Sequence, residues 1–190
     1  MKELTVLMIC ILAIFIYINF IRKKLFLDKV RASNQKEYYV RNLPDKVEAA
    51  NKLARLSDSL NSLVVGLSSD TEKGEYIQKL KEDFNPDHIT ENIPGSIYVA
   101  YSVNKGEELS ICIRENDKEK FIDDNTILFV AIHELSHIMT PENGHTPLFW
   151  DNMKYLLEKA SSSGIYMPQD YSQSPVKYCG MDINSSPMDF

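Results

Sequence analysis

Residues 126–139 read TILFVAIHELSHIM, and residues 144–150 read GHTPLFW. The first stretch is apolar on nearly all sides, which indicates a buried helix. It contains His133, Glu134 and His137 in the pattern H-E-x-x-H. Residues four apart project from one face of a helix, so both imidazoles can reach one cation. The pattern therefore predicts a metal site on a buried helix.

The chemistry of the pattern favours zinc. Zinc binds imidazole nitrogen at about 2.0–2.1 Å in a tetrahedral site, which two histidines on one helical turn can supply. Glu134 would flank the metal without binding it, and can take a proton from a water that zinc activates. Two solvent-facing histidines are the simpler alternative, but buried histidines and a buried glutamate are costly without a partner.

A third ligand is expected after the helix. His145 comes eight positions after His137 and follows Gly144, a residue that lets the backbone fold tightly beside the helix end. A third neutral imidazole is favoured because His145 has no other evident role. The acidic alternatives are Glu142, Asp151 and Glu158.

Further candidates are weaker. Phe149 and Trp150 are expected to be core residues beneath the third ligand, and His88 to pack locally. Cys179 is not expected as a fourth ligand, because a closed zinc site leaves no position for water. Zinc peptidases often need a side chain that stabilises the oxyanion. Three tyrosines after the last predicted helix are candidates: Tyr166, Tyr171 and Tyr178.

The periodicity elsewhere predicts an α+β protein in which helices dominate. Residues 97–103 and 107–114 are rich in β-branched and aromatic residues around Asn104-Lys105-Gly106, which predicts an antiparallel hairpin. Residues 107–114, if they form the sheet edge, could bind a substrate backbone. Asp45 is able to cap the first helix. Apolar residues at helical spacing predict helices over 45–67, 71–84, 126–139 and 148–160.

The N-terminal segment differs from the rest. Residues 4–21 read LTVLMICILAIFIYINFI and are followed by Arg22, Lys23 and Lys24. These eighteen residues, of which only Asn19 is strongly polar, span about 27 Å as a helix, close to the thickness of a bilayer core. This predicts a single-pass membrane anchor over residues 1–24, with the rest cytoplasmic by the positive-inside bias. A stalk over 25–44 and a catalytic domain over 45–190 would follow.

Charge and cysteine content exclude other classes. The chain of 190 residues has 21 basic and 27 acidic residues; without residues 1–24, which hold four bases and one acid, 17 bases and 26 acids leave a net charge of −9. A domain with this net negative charge lacks the basic surface that binding to nucleic acid requires. In a cytoplasmic domain, Cys112 and Cys179 would stay reduced.

These motifs resemble those of a known family. HELSHIM and GHTPLFW look like the active-site segment of WLM and SprT-like zinc metallopeptidases, in particular the uncharacterised WLM-like proteins of large DNA viruses. YVRNLPDKVEAANKLA, FNPDHI, YSVNKGEE and GIYMPQDYSQSPVKYCG are similar too, so the resemblance spans residues 38–187. It implies a minimal zincin fold in which an edge strand lies above the active-site helix. It also implies His133, His137 and His145 as zinc ligands and Glu134 as general base.

The sequence thus predicts a membrane-anchored zinc metalloendopeptidase that acts on a protein or peptide. Its catalytic domain would face the cytoplasm, or the virion interior if the protein is viral. The alternative is a zinc-stabilised membrane or virion protein that binds a partner with little turnover. Glu134 distinguishes the two, because a purely structural zinc site has no need of it.

Overall fold

The structure is a computed structural model, and it describes residues 5, 7, 8, 10, 11, 14, 25–115 and 120–188. From residue 27 onward, the described residues form seven strands and four helices. The strands are β1 (Leu27–Arg31), β2 (Glu37–Arg41), β3 (Ile89–Glu91), β4 (Ala100–Val103), β5 (Glu108–Ile111), β6 (Val176–Tyr178) and β7 (Met181–Ile183). The helices are α1 (Lys46–Gly66), α2 (Gly74–Asp83), α3 (Asp124–Met139) and α4 (Pro147–Ser162).

Five strands form one sheet in the order β1-β2-β3-β5-β4, and β6 and β7 form a separate two-stranded sheet. The pairs β1–β2 and β4–β5 are antiparallel, whereas β2–β3 and β3–β5 are parallel. The predicted α+β class is confirmed, but the sheet is mixed, not antiparallel. The difference arises because β1, β2 and β3 have only three to five residues each, and strands this short leave a weak signal in the sequence.

The predicted hairpin is confirmed as β4 and β5. Asn104 and Lys105 adopt left-handed φ angles of 47° and 55° at the turn, and Gly106 has a φ of 124°. A Cβ at Gly106 would lie 2.4 Å from the carbonyl oxygen of Asp83, so only glycine fits there. The edge strand of the hairpin is β4, while β5 pairs on both sides. The expectation that residues 107–114 form the edge is therefore wrong.

Residues 25–44, predicted as a stalk, contain two paired strands of the sheet. β1 pairs with β2 over five residues, and β2 also pairs with β3. Tyr38 and Val40 of β2 are buried, while Glu37 and Tyr39 are exposed. This alternation has a period of two residues, which is typical of a strand and leaves no helical pattern. The segment is part of the folded body.

The predicted membrane anchor lies mostly outside the described residues, which within 4–21 are 5, 7, 8, 10, 11 and 14. A transmembrane helix needs about 20 consecutive, predominantly apolar residues. In the part of the chain that the structure describes, no helix has the length and hydropathy to cross a membrane. This finding contradicts the prediction of a single-pass membrane protein, and the cytoplasmic orientation that depended on it. An apolar run alone does not establish the continuous helix that a span requires.

Helix α3 contacts each of the other three described helices and also the sheet strands β4 and β5. Helix α1 packs on the other strands of the sheet, β1, β2 and β3. The side chain of Asp123 caps it by accepting hydrogen bonds from the backbone N–H groups of Asn125 and Thr126, at 3.0 and 3.2 Å. At the other end the helix stops at Thr140, before Pro141. The H-E-x-x-H residues are thus held on the most enclosed helix of the fold.

Asp45 precedes α1 as predicted, but its side chain makes no capping hydrogen bond. Its carboxylate instead accepts a hydrogen bond from Arg114 Nη1 at 2.5 Å. Arg114 lies after β5, far away in sequence, so the sequence near Asp45 holds no sign of this partner.

The two cysteines predicted to stay reduced are joined as a disulfide in the structure, between Cys112 and Cys179. The bond links the end of β5 to the turn between β6 and β7. The residues are 67 positions apart in sequence, yet their Cα atoms lie 6.5 Å apart, which is within the range for a disulfide. Their spacing in the sequence could not reveal the pairing, because the fold alone brings them together.

Candidate metal centre

Helix α3 places its two histidines side by side. The ring centroids of His133 and His137 are 5.0 Å apart, and both side chains are half-buried. Glu134 is adjacent and buried. The spacing of four residues produces this arrangement, because one helical turn separates the two histidines.

The segment between α3 and α4 returns His145 to the same place. Gly144 has a left-handed φ of 83°, which turns the chain back toward the helix. The Nε2 atoms of His145 and His133 are then 3.1 Å apart. Across all three histidines, one nitrogen of each lies within 4.8 Å of the others.

These distances fit zinc. Ligands at about 2.0–2.1 Å in a tetrahedral site have nitrogen atoms about 3.3 Å apart, close to the separation of His145 and His133. Three imidazoles leave a fourth position for water or substrate, the arrangement of catalytic rather than structural zinc sites. The donor set therefore suits zinc in an open site.

Two aromatic residues at the start of α4 support the histidines. The ring centroid of Phe149 is 4.9 Å from His133, 4.3 Å from His137 and 4.8 Å from His145, and Phe149 is fully buried as predicted. Trp150 was also predicted to lie in the core, but it is 42% exposed and stacks on the His145 ring at 5.5 Å. The tryptophan therefore packs on the third imidazole, which is itself exposed.

Burial sets the charge states of the site. Together with the neighbouring imidazoles, burial lowers the pKa of His133 to about 3, and together with His145 and Lys105 it lowers the pKa of His137 to about 4. Neutral imidazole is the form that binds metal, so these two histidines are ready to do so at neutral pH. Burial also raises the pKa of Glu134 to about 7. A carboxylate poised near neutrality suits a general base.

The metal centre opens onto a cleft of about 600 Å³. One wall is the edge strand β4, and another is the β6–β7 hairpin, which contributes Met181 and Ile183. Lys105, in the β4–β5 turn, also lines the cleft and donates a hydrogen bond to the carbonyl oxygen of Pro141 at 2.6 Å. It thereby ties the hairpin turn to the segment that carries His145, a role that sequence reasoning missed because the two segments meet only in the fold.

The acidic alternatives for the third ligand are placed differently. Glu142 lines the cleft but does not join the histidine cluster, and Asp151 forms an ion pair with Lys73 at 2.5 Å. Glu158 is exposed on α4 and does not line the cleft. Of the residues that the structure describes, only the three histidines form a group of His, Cys, Asp or Glu side chains able to hold a metal.

The three candidate tyrosines separate into two kinds. Tyr166 and Tyr171 are buried against Phe129, with ring centroids 6.2 and 4.6 Å from it. Tyr178 is also buried, but it lines the cleft beside the histidines. Its hydroxyl has no hydrogen-bond partner among the described residues, and burial and the negative charge of nearby Glu134 raise its pKa.

The remaining two candidates stay outside the metal centre. His88 packs locally, as predicted, with Nδ1 3.1 Å from the carbonyl oxygen of Glu107. The sulfur of Cys179 is bonded to Cys112, so it is not available as a ligand.

Comparisons with known proteins agree with one another. The model of the WLM domain family matches residues 34–174. The chain is 33% identical over 153 residues to the uncharacterised protein R325 of Acanthamoeba polyphaga mimivirus, and the match covers 78% of each protein. It is 30% identical over 113 residues to the uncharacterised protein 136R of invertebrate iridescent virus 6, over 49% of this chain and 63% of that protein.

The fold is shared with a solved structure. A crystal structure of a Wss1 mutant from Saccharomyces cerevisiae superposes with a TM-score of 0.51 and 17% identity. The superposition covers 67% of this chain and 92% of that one. The predicted resemblance to WLM-like proteins, including those of large DNA viruses, is confirmed.

Proposed function

The chain belongs to the WLM domain family, which is of the zinc metallopeptidase type, and on this premise we propose that it hydrolyses peptide bonds in a protein substrate. The observation that carries the proposal is the convergence of three imidazoles beside a buried glutamate at an open cleft. A structural zinc site would be closed by a fourth protein ligand and would not need that glutamate.

In this proposal His133, His137 and His145 hold the metal. Zinc, when bound, supplies a Lewis acid that polarises the scissile carbonyl group and lowers the pKa of water. The Glu134 carboxylate accepts the proton of the attacking water and delivers it to the departing amine. Glu134 lines the same cleft as the three histidines.

We assign Tyr178 as the side chain that stabilises the oxyanion. A buried hydroxyl without a partner is a costly arrangement, which a bound group with negative charge would relieve. Tyr178 is the one candidate tyrosine of the three that lines the cleft. Tyr166 and Tyr171 serve packing around Phe129 instead.

The substrate backbone would pair with β4. This strand is at the edge of the sheet and contributes Ala100, Tyr101 and Ser102 to the cleft wall. An extended peptide added to a sheet edge is held by main-chain hydrogen bonds, which depend little on the side chains of the peptide. The arrangement therefore suits substrates of varied sequence that present an unfolded segment.

The test is cleavage by the full-length protein after its zinc content has been measured. We expect about one zinc per chain, cleavage of an unfolded protein or a peptide library, and loss of cleavage on chelation that added zinc restores. If the protein holds one zinc per chain but cleaves no member of a broad library, the peptidase function is rejected in favour of a zinc-stabilised binding protein. Cleavage that persists at full chelation would reject the metal-dependent reaction.

A further inference from the structure

The β6–β7 hairpin is a wall of the cleft that does not belong to the main sheet. Among the described strands, β6 and β7 pair only with each other. Yet Tyr178, Met181 and Ile183 of this hairpin line the same cleft as the histidines. Something other than strand pairing must therefore hold the hairpin against the metal centre.

The disulfide is placed to do this. Cys179 directly follows Tyr178 and is bonded to Cys112, the residue after β5. Cys179 also has a left-handed φ of 50°, and Gly180 follows with 84°, so the turn is tight at the point where the bond attaches. A non-glycine residue keeps such a conformation when its surroundings hold it there. The bond thus anchors the hairpin one residue from its cleft-facing tyrosine.

Hydrogen bonds do not fix the Tyr178 hydroxyl. That hydroxyl approaches the backbone N–H of Cys112, but this N–H already donates to the carbonyl oxygen of Val99 at 3.0 Å. The hydroxyl is buried, and among the described residues it has no hydrogen-bond partner of its own. Its position therefore depends on packing and on the covalent tie at the next residue.

We propose that the Cys112–Cys179 disulfide is a positioning device for Tyr178, and that its reduction lowers the turnover of the enzyme. The inference rests on the proposed peptidase function and adds redox control to it. A dithiol reductant gives two electrons to the bond, and the two sulfurs take up two protons to become thiols. The reductant is itself oxidised to a disulfide. The hairpin then keeps its strand pairing but loses its covalent link to β5.

The experiment uses the full-length, zinc-loaded protein at a temperature well below its unfolding transition. The protein is compared before and after dithiol treatment, beside the double variant Cys112→Ser/Cys179→Ser. Cys10→Ser is the matched control, because Cys10 is a free, exposed cysteine. The readouts are zinc content, kcat and KM on a peptide, and amide hydrogen exchange of residues 176–183.

We expect kcat to fall about tenfold or more in the reduced protein and the double variant, because loss of one oxyanion donor costs about 10²–10³-fold. KM and zinc content should stay within about twofold, and the hairpin amides should exchange faster. Tyr178→Phe should reduce kcat in the oxidised protein but add little in the double variant, since both changes remove the same interaction. Cys10→Ser should match the wild type.

Unchanged kcat and unchanged exchange in the reduced protein would overturn the inference. Strictly additive losses from Tyr178→Phe and the double variant would also overturn it, because the disulfide would then act independently of the tyrosine. If the oxidised wild type holds zinc but cleaves nothing, the proposed function fails and the redox control of turnover fails with it. In that case hydrogen exchange still tests whether the disulfide holds the hairpin in place. Faster exchange of the hairpin amides on reduction supports that role, and equal exchange rejects it.

Discussion

Aromatic packing sets the orientation of the three histidine rings. A histidine that binds metal commonly donates its second ring N–H to a carboxylate or a backbone carbonyl. In the described part of the chain, the rings instead lie against Phe149, and Trp150 stacks on His145. The apolar surround also keeps His133 and His137 neutral through burial. Burial therefore keeps His133 and His137 in the neutral form that binds metal, and aromatic packing orients all three rings.

The first prediction concerns the ligands. His133→Ala and His137→Ala should each abolish zinc binding, and His145→Ala should weaken it by more than the ~10–100-fold that loss of a supporting partner costs. Two imidazoles on one helical turn cannot bind zinc tightly without a third ligand. The measurement is a zinc titration of each full-length variant, with His88→Ala as control because His88 packs outside the cleft. Unchanged affinity in His145→Ala would move the third ligand to Glu142, which lines the cleft.

The second prediction separates chemistry from structure at Glu134. Glu134→Gln should keep one zinc and an unchanged melting temperature, because Gln has nearly the same shape and no charge to bury. Its cleavage rate should fall about 10²–10⁴-fold, the usual contribution of a general base. Rates are compared at equal zinc occupancy, with Glu158→Gln as the exposed control on α4. Equal rates for wild type and Glu134→Gln would point to a different base or a contaminating protease.

At the scale of elements, one buried arginine joins the start of α1 to the sheet. Arg114 is 2% exposed, donates to Asp45 before α1 at 2.5 Å, and donates to Glu91 in β3 at 2.7 Å. The second oxygen of Glu91 accepts the backbone N–H of Arg41, at the end of β2, at 2.8 Å. Buried charges are tolerated when they are paired in this way. The cluster therefore fixes where α1 begins relative to β2 and β3.

This cluster leads to a pH prediction. A hydrogen bond from Arg114 holds the pKa of Asp45 below its ordinary value of 3.8. A carboxyl whose pKa is lowered by folding stabilises the fold when ionised, so its contribution is complete above about pH 5 and is lost as the pH falls through the folded-state pKa. Asp45→Asn should be about 1–2 kcal/mol less stable at pH 7, a modest value because solvent reaches the Asp45 side chain.

The difference between wild type and Asp45→Asn should narrow as the pH falls toward 3. Burial raises the pKa of Glu91 and acts in the opposite direction, but Glu91 is present in both proteins, so the comparison isolates Asp45. The measurement is the free energy of unfolding by denaturant between pH 3 and 7. Asp182→Asn, an exposed change on β7, is the control. A difference that stays constant over this range would contradict the role given to the Asp45 charge.

At the scale of the whole molecule, the candidate metal centre brings together histidines from separate segments of the fold. His133 and His137 belong to α3, whereas His145 lies in the segment that leads into α4. Lys105 ties that same segment to the β4–β5 turn. A metal bound by all three histidines would therefore couple the two helices and stabilise the folded state over the unfolded chain.

The fourth prediction follows from this coupling. Zinc at about 100 times its Kd should stabilise the fold by about 2.7 kcal/mol, which corresponds to about 5–10 °C in Tm for a chain of this size. Chelation should reverse the gain, and His133→Ala should show no gain at all. The change in Tm is measured by differential scanning calorimetry with and without zinc. If zinc leaves the Tm of the wild type unchanged, zinc does not bind the native state.

The sequence alone determined what depends on neighbours along the chain. The spacing in H-E-x-x-H places His133 and His137 on one turn of a helix, and apolar residues at helical intervals predicted α1 to α4. Asn104, Lys105 and Gly106 predicted the hairpin turn, because Asn and Gly tolerate left-handed φ angles. In each case the interacting residues lie within a few positions of one another, so local geometry suffices.

The tertiary structure alone decided what depends on distant segments. It placed β4 rather than β5 at the sheet edge, turned the supposed stalk into β1 and β2, and paired Cys112 with Cys179. Of three equivalent-looking tyrosines, it placed Tyr178 in the wall of the cleft. Strand order and disulfide pairing join residues far apart in sequence, and their proximity comes from packing of the whole chain around one core, which no short pattern of residues encodes.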